Sequence, residues 1–298
     1  MLRVAFFGSA GAYSATHLTA LIAAHQVTGV FCGLESRGVR GVVGRALRST
    51  GVRSDPCTRV AREHDIPVWF TNGTTSLPAV SSIKPDVICV AGYPWLLPAS
   101  VWQSAPLGAL NSHASLLPRH RGVSPLFWIY FHDDKTTGVT IHRINDRPDA
   151  GEIVSQDVFP LARGFPVDQL NVINAERGSR LLLEAVAAVS SGASGAPQDD
   201  AGATLAPRVP PGASMLDPSW DVERVWHFLT GLFPRFVEPL RDSEGRAVEY
   251  GSQFTYERIS HTHQSGTVHR DANGWRLYCA SGFVSLVPRN APELARHA

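Results

Sequence analysis

A polar stretch at 111–122 carries the residues whose types and spacing best suit chemistry. Asn111 and His113 stand two positions apart, where an apolar run that passes through Leu107 and Leu110 ends. Side chains two apart on a strand share a face, so the amide and the imidazole should project together above a sheet edge. An amide N–H can hold a developing oxyanion, and an imidazole can donate to it or relay a proton. An isolated pair of this kind is more often a turn residue and a loop histidine, so its surroundings decide.

A carboxylate near the imidazole would complete such a site, and three aspartates compete for that place. They are Asp133, Asp146 and Asp149. A carboxylate beside His113 would favour the imidazolium and raise the pKa of the ring, and it could accept a proton directly or through water. Residue types alone leave all three open.

Other chemistries find less support in the sequence. The turn at 8–11 reads Gly-Ser-Ala-Gly and does not fit the glycine fingerprint of dinucleotide sites, which argues against a nicotinamide-dependent oxidoreductase. His261 and His263 lack the carboxylate and cysteine neighbours of a zinc site, so no metal is predicted. The sequence contains neither a Walker A motif nor a G-x-S-x-G elbow.

Composition places the chain among ordinary globular proteins. It has 298 residues, 44% hydrophobic and 18% charged, enough for two domains or one large one. The first residues lead directly into a strand, and no apolar run reaches the roughly eighteen residues of a membrane helix. Four scattered cysteines favour reduced thiols in the cytoplasm. A net charge of +1 gives no general attraction to nucleic acid, and no DNA partner is predicted.

The first half alternates short apolar strands with helical patterns, which predicts an α/β fold with a mainly parallel sheet. Ser14 is the predicted N-cap of the first helix. The strand at 86–91 is apolar on both faces and should be central. The predicted strands are 3–7, 27–32, 68–70, 86–91, an antiparallel one at 138–145, and 152–159; the predicted helices are 14–24, 124–133 and 167–190.

The last third changes in composition. Residues 191–211 are rich in Ser, Gly, Ala and Pro, which predicts an exposed linker. A short helix at 222–230 and glycine-punctuated strands near 266–268 and 275–280 then predict a small β-barrel. The predicted organisation is therefore a domain at 1–190, a linker at 191–211 and a domain at 212–298.

An arginine-rich segment at 36–62 has seven arginines against one acidic residue. Val39, Val43 and Leu47 stand at helical spacing, which predicts an amphipathic helix with a basic outer face. The segment is either a solvated surface or a dock for an acidic substrate such as phosphate, nucleotide or tRNA.

Three motifs in order resemble the folate-dependent formyltransferases, which include methionyl-tRNA formyltransferase, the glycinamide ribonucleotide enzyme and the sugar N-formyltransferases. They are N-x-H-x-S-L-L-P-x-x-R-G at 111–122, T-G-V-T-I-H at 137–142 and D-x-G at 149–151. The likeness covers nearly the whole chain and is strongest over 87–153. It implies a Rossmann-like formyltransferase domain at 1–190 and an OB-like C-terminal barrel.

The resemblance implies formyl transfer from 10-formyltetrahydrofolate to an amine. Attack of the neutral nitrogen on the formyl carbon creates an oxyanion and releases a proton, so the site needs an oxyanion donor, a proton relay and a carboxylate. By this likeness Asn111 and His113 fill the first two roles. Asp149 is chosen as the catalytic carboxylate because Ala150 and Gly151 follow it.

The same resemblance predicts which residues bind the folate and the substrate. The predicted pterin pocket consists of Tyr93, Trp95, Leu96, Leu97, Asp146 and Gly151. Ser115, Arg119 and Arg121 are weaker candidates for substrate contact. The alternatives are plain packing for Trp95 and Leu97 and solvation for the two loop arginines. His142, at the end of the second motif, is interpreted as a structural histidine.

The acceptor is predicted to be a small-molecule amine, either an amino sugar on a nucleotide or a hydroxyornithine-like compound of secondary metabolism. Residues 212–298 contain nine arginines, no lysine and ten acidic residues, so their net charge is close to zero. A domain that binds tRNA phosphates should be clearly basic. Methionyl-tRNA formyltransferase is therefore the disfavoured alternative, although the arginine-rich segment keeps tRNA open. A non-catalytic folate- or nucleotide-binding protein is the alternative of another class. Oligomeric state is open, a homodimer being one option.

Overall fold

The computed structural model describes residues 1–33, 55–72, 78–272 and 274–288. Most of the arginine-rich segment at 36–62 lies outside these ranges, so the amphipathic helix predicted there stays a prediction. Its last part belongs to α2 (Pro56–Glu63), which Asp55 caps by accepting a hydrogen bond from the Thr58 N–H.

A seven-stranded sheet forms the first part of the fold, in the order β3-β2-β1-β4-β5-β6-β7. Strands β1 to β5 pair in parallel, and β6 runs antiparallel to β5. All five residues of β4 are buried and the strand is central, which confirms the predicted fold class and the place of this strand. The strands are β1 Arg3–Gly8, β2 Gln26–Gly33, β3 Val68–Thr71, β4 Val87–Ala91, β5 Ala109–His113, β6 Thr136–Arg143 and β7 Ile153–Pro160.

Helices cover both faces of this sheet. Helices α1 (Ala12–Ala24), α2 and α6 (Val167–Ser190) bury Leu18, Ala61 and Leu182 against one face. Helices α3 (Pro78–Ile83) and α4 (Ala99–Trp102) cover the other face around Val80 and Val101. Alternation along β5 therefore points Leu110 toward α1 and α6, and the residues on either side of it toward the opposite face.

The first helix begins earlier than predicted, and Ser14 is not its N-cap. Gly11 occupies the cap position without a side-chain hydrogen bond, and Ser14 lies fully buried in the first turn. Its hydroxyl donates to the Ala91 carbonyl at 2.7 Å and accepts from the Ser9 N–H at 2.8 Å. The prediction was wrong because this hydroxyl ties the turn after β1 to the end of β4 rather than closing the helix.

The chain divides into two compact units, and the second collects residues 126–135, 160–170 and those from Arg208 onward. It contains α7 (Val222–Leu232) and a four-stranded antiparallel sheet in the order β8-β11-β10-β9, as expected for a small C-terminal β domain. These strands are β8 Phe254–Arg258, β9 Val268–Asp271, β10 Gly274–Cys279 and β11 Gly282–Leu286.

Most of helix α5 (Pro125–Phe131) also belongs to this second unit. Its Phe127 packs edge-on against Phe228 of α7 and against Phe236. The predicted domain boundaries at 190 and 212 stay a prediction.

The four cysteines are buried free thiols. Burial raises the pKa of Cys32 and of Cys279 to about 12, so both are protonated near neutral pH. Within the part of the chain that the structure describes, no helix has the length and apolarity needed to cross a bilayer.

Candidate active site

Strand β5 presents the amide and the imidazole on one face of the sheet. Asn111 and His113 point away from α1 and α6, as the two-residue spacing predicted. The antiparallel register pairs Asn111 with His142 of β6, and His113 with Thr140. The sheet therefore adds a second histidine to the pair.

The amide of Asn111 is oriented by this second histidine. Its Nδ2 lies 3.1 Å from Nε2 of His142, whose Nδ1 lies 2.9 Å from the Arg143 carbonyl. The carbonyl can only accept, so Nδ1–H donates to it, while Nε2 faces both the Asn111 amide and Oδ1 of Asp149, the latter at 3.5 Å. One N–H of Asn111 is thus committed, and the other can donate to a substrate oxygen.

His113 is held by a backbone carbonyl. Its Nε2–H donates to the carbonyl of His120 at 2.9 Å, and its side chain is almost completely buried. Its Nδ1 lies 3.8 Å from Oδ1 of Asp149, which is beyond hydrogen-bond distance. The neutral ring therefore turns a lone pair toward the carboxylate.

The pKa of His113 is set by burial and by the charge of Asp149, which act in opposite directions. Burial lowers it below the ordinary 6.5, although the nearby charge of Asp149 acts in the raising direction. Asp149 thus acts in the predicted direction, but desolvation is the larger effect and sets the direction of the net shift. The imidazole is neutral at neutral pH.

Asp149 is the aspartate that the fold brings to this pair. Its backbone has φ +52°, and its Oδ2 accepts from the Gly122 N–H at 2.9 Å. Burial acts to raise its pKa, yet His113, His142 and the Gly122 N–H together hold the pKa well below the usual range. The carboxylate is therefore ionised across the working range of pH.

The two competing aspartates lie elsewhere. Asp146 is exposed on the connection from β6 to β7. Asp133 belongs to the second unit, where it forms ion pairs with Lys135 and Arg163.

Two glycines allow the loops around Asp149 to approach other backbone. A Cβ on Gly151 would lie 1.8 Å from the Arg143 carbonyl oxygen. Gly122 has φ +133°, and a Cβ there would lie 2.5 Å from the Ala206 carbonyl oxygen. Larger residues would push both loops away from the site.

Four of the six predicted pterin-pocket residues follow the carboxyl end of β4, beside β5, whereas Asp146 and Gly151 lie in the connection from β6 to β7. The Tyr93 hydroxyl bonds to Thr71 at 2.6 Å, and its ring packs edge-on against Phe7. Trp95 is 36% exposed and Leu96 is 70% exposed, whereas Leu97 packs on the core. Ligands of open α/β sheets bind at this edge, so the pocket stays a prediction compatible with the geometry.

The three predicted substrate contacts behave differently from one another. Ser115 is fully buried, and its hydroxyl donates to the Arg119 carbonyl at 2.8 Å, so it orders the loop. Arg119 is exposed. Arg121 is 8% exposed, and its guanidinium donates to Asp200 at 2.9 Å and to Gln198 at 2.8 Å. Arg121 thus has partners within the chain, while its contact with substrate stays a prediction.

A buried network supports β5 from the opposite face. The Ser112 hydroxyl lies 2.9 Å from Nε2 of His17 and 3.1 Å from the Tyr13 hydroxyl. Nδ1–H of His17 donates to the Tyr13 carbonyl at 2.9 Å, so Nε2 accepts from Ser112. Burial lowers the pKa of His17 to about 4 and raises that of Tyr13 to about 12, which keeps both neutral.

Two residues of the site receive too little weight when the sequence is read alone. His142 was visible in T-G-V-T-I-H, but only the strand register places it opposite Asn111. Gln198 lies in the predicted linker, and its side chain donates to the carbonyls of Asp149 and Gly151.

Comparison with known proteins points to one family. Residues 2–186 match the family described as formyl transferase. A methionyl-tRNA formyltransferase from Kosmotoga olearia is 30% identical over 256 residues, which are 84% of this chain and 79% of that protein. One from Bacteroides fragilis is 28% identical over 264 residues, covering 84% and 81%.

Solved structures share the fold over the full length. The sugar 3N-formyltransferase WlaRD, determined with dTDP and 5-N-formyl-THF, has a TM-score of 0.71 at 12% identity and covers 98% of this chain and 99% of its own. The N-formyltransferase of Helicobacter canadensis, in complex with folinic acid and dTDP-3-aminofucose, has a TM-score of 0.66 at 13% identity, covering 97% and 100%.

Proposed function

The chain belongs to the formyl transferase family, and we propose that it moves a formyl group from 10-formyltetrahydrofolate to the amine of a small molecule. The convergence of Asn111, His113 and Asp149 at the carboxyl end of β5 carries this proposal. The acceptor class is an amino sugar on a nucleotide or a hydroxylated amine of the ornithine type.

The three residues divide the chemistry among them. Asn111 donates its second N–H to the formyl oxygen as negative charge develops there. His113, neutral at neutral pH, accepts the proton of the attacking amine at Nδ1, the nitrogen that faces Asp149. Asp149 stabilises the imidazolium that results, while the His120 carbonyl holds the Nε2–H. Collapse of the oxyanion then breaks the bond between the formyl carbon and the folate nitrogen, and the imidazolium returns its proton to that leaving nitrogen.

The charge of the C-terminal residues 212–298 supports a small acceptor. Residues 212–298 contain nine arginines and ten acids. Several of these arginines are engaged by carboxylates, which leaves them less able to bind phosphates. They are Arg235 with Asp168, Arg246 with Asp242, Arg258 with Asp221, and Arg276 with Asp271. The likeness to two sugar N-formyltransferases over the whole chain is compatible with this acceptor.

Methionyl-tRNA formyltransferase is the second candidate function. The relatives from Kosmotoga olearia and Bacteroides fragilis carry that name and match most of this chain. These relatives do not disfavour tRNA, contrary to the expectation from charge. Location in the cytoplasm and assembly as a homodimer stay predictions.

Formyl transfer from 10-formyltetrahydrofolate tests the proposal directly. Separate reactions would contain methionyl-tRNA, amino sugars, their nucleotides and hydroxyornithine, with the double variant Asn111→Ala, His113→Ala as the blank. Turnover of a small amine but not of tRNA supports the proposal. Turnover of tRNA alone replaces it with the second candidate, and folate binding without any turnover favours a non-catalytic binding protein.

A further inference from the structure

Gln198 joins the two loops that meet at the site. Its Nε2 donates to the carbonyl of Asp149 at 2.9 Å and to that of Gly151 at 2.7 Å. Its Oε1 accepts from Arg121, from Nε at 3.1 Å and from a terminal nitrogen at 2.8 Å. One side chain therefore connects the loop after β5 with the turn that carries the carboxylate.

Only one orientation of the Gln198 amide satisfies these contacts. Carbonyl oxygens cannot donate and a guanidinium cannot accept, so Nε2 must face Asp149 and Gly151 while Oε1 faces Arg121. Both N–H groups and both lone pairs of the amide are used. The amide is thus fixed at both ends, and no rotated form would make the same bonds.

The backbone that carries Gln198 is itself anchored to the same two loops. Ala196 and Ile153 exchange two hydrogen bonds of 2.8 Å on one side of it. On the other side the Ala206 N–H donates to the Arg121 carbonyl at 2.7 Å. Gln198 therefore holds a fixed position in spite of the linker-like composition around it.

The turn to which Gln198 donates has an unfavourable backbone conformation at Asp149. Asp149 has φ +52°, a conformation that costs a non-glycine residue free energy and persists only where its surroundings impose it. The carboxylate itself has a separate bond from the Gly122 N–H at 2.9 Å. Loss of the Gln198 bonds would let the turn relax and move the carboxylate away from His113.

We propose that Gln198 is a positioning residue for the transfer, which acts by holding the Asp149 turn so that the carboxylate faces His113. The inference rests on the proposed function, because it assigns Gln198 to the catalytic carboxylate of that reaction. Gln198 need not touch the substrate for this role.

The variant Gln198→Met tests the inference, because methionine has nearly the same length, adds no charge and lacks every hydrogen bond. We expect kcat to fall about 10- to 100-fold, as for a misplaced catalytic group. In the double variant with Asp149→Asn, kcat should stay within about twofold of Asp149→Asn alone, since both changes act on one carboxylate. Losses that multiply would overturn the inference.

A titration of His113 supplies a readout that needs no formyl transfer. Asp149 raises the pKa of His113, so the pKa measured by NMR on histidine-labelled protein should fall in Gln198→Met toward its value in Asp149→Asn. An unchanged pKa in folded Gln198→Met would overturn the inference even if no acceptor is turned over. This separates its failure from failure of the proposed function.

Two further variants complete the design. Asp199→Asn, next along the chain, keeps the oxygen that accepts from the Ala201 N–H and should leave kcat and the His113 titration unchanged. Gln198→Glu keeps an acceptor for Arg121 but cannot donate to the two carbonyls. Its kcat should therefore be as low as that of Gln198→Met, and recovery of kcat would assign the effect to Arg121 instead.

Discussion

The protonation state of His113 is set by two opposing influences. Burial favours the neutral ring, and the Asp149 charge 3.8 Å away favours the imidazolium. Burial is the stronger, and so the group that can accept a proton is present at neutral pH. This differs from a site in which a permanently charged imidazolium stabilises the oxyanion.

The pH dependence of the rate distinguishes these two roles. Because the folded pKa of His113 lies below 6.5, we expect kcat/KM to be constant near neutral pH and to fall as the pH drops through that pKa. In Asp149→Asn the fall should move to lower pH, since a raising influence is gone. A rate that increases on acidification would show that the imidazolium is the active form.

Asn111 should contribute through its amide donor alone. The Asn111→Ala variant is expected to lose on the order of 100-fold in kcat, as when one oxyanion donor is removed. The KM for 10-formyltetrahydrofolate should change much less, because the hydrogen bond from Asn111 strengthens in the transition state. Equal losses in kcat and in folate affinity would instead indicate a binding role.

At the scale of elements, the connection between β6 and β7 brings the carboxylate to β5. Gly151 in this connection approaches the Arg143 carbonyl so closely that an added Cβ would lie 1.8 Å from it. The approach lets the connection fold back beside β6 and place Asp149 near His142. The sheet and the site therefore depend on the same glycine.

The Gly151→Ala variant should separate activity from folding. The clash must displace one of the two backbones, so we expect kcat to fall at least about 10-fold through misplacement of Asp149. The midpoint of thermal unfolding measured by circular dichroism should fall as well. Gly192→Ala is the control, because a Cβ added there would meet no atom within 4 Å, although the φ of +87° adds some strain. Wild-type kcat in Gly151→Ala would contradict this account.

Elements were more predictable from the sequence than the contacts between them. The runs of apolar residues defined β1, β2 and β4 to within a residue or two, because burial on both faces leaves a strong pattern. The predicted N-cap at Ser14 was wrong because the Ser14 hydroxyl makes tertiary hydrogen bonds instead of capping the helix. Gln198 was missed because composition at 191–211 indicates exposure and says nothing of which backbone groups a side chain reaches.

The site was predictable where the motifs were local. Asn111 and His113 share a strand face, which the two-residue spacing reveals. The direction of the His113 pKa shift was not predictable, since it depends on how deeply the ring is buried and a sequence does not report burial depth. The same applies to His142, which becomes a neighbour of Asn111 only through the register of β6.

On the scale of the whole molecule, each compact unit contains a buried neutral histidine. The pKa of His17 in the first unit and that of His227 in the second are both lowered to about 4 by burial. At these two histidines the unfolded chain binds protons as the pH falls below 6.5, whereas the folded chain binds them only near pH 4 and below. Stability should therefore fall as the pH drops from 6.5 to 4, by roughly 1 to 3 kcal/mol for each histidine.

Urea unfolding between pH 7.5 and pH 5 measures this effect. Free energy of unfolding should decrease on acidification, and His17→Gln should show a shallower decrease because the amide keeps both hydrogen-bonding roles without titrating. A wild-type free energy that is independent of pH in this range would refute the assignment.

The identity of the acceptor is also a property of the whole molecule, because it depends on the net charge offered to the substrate. An acceptor that meets the protein through six to ten phosphates loses about 10³- to 10⁵-fold in affinity between 50 and 200 mM salt. With a formal charge of +1 overall, and with C-terminal arginines held by carboxylates, we expect a far smaller effect. The kcat/KM for the preferred acceptor should fall less than about 10-fold over this range. A steeper fall, measured with methionyl-tRNA as the better substrate, would instead mean that phosphate contacts dominate recognition and would favour the tRNA enzyme.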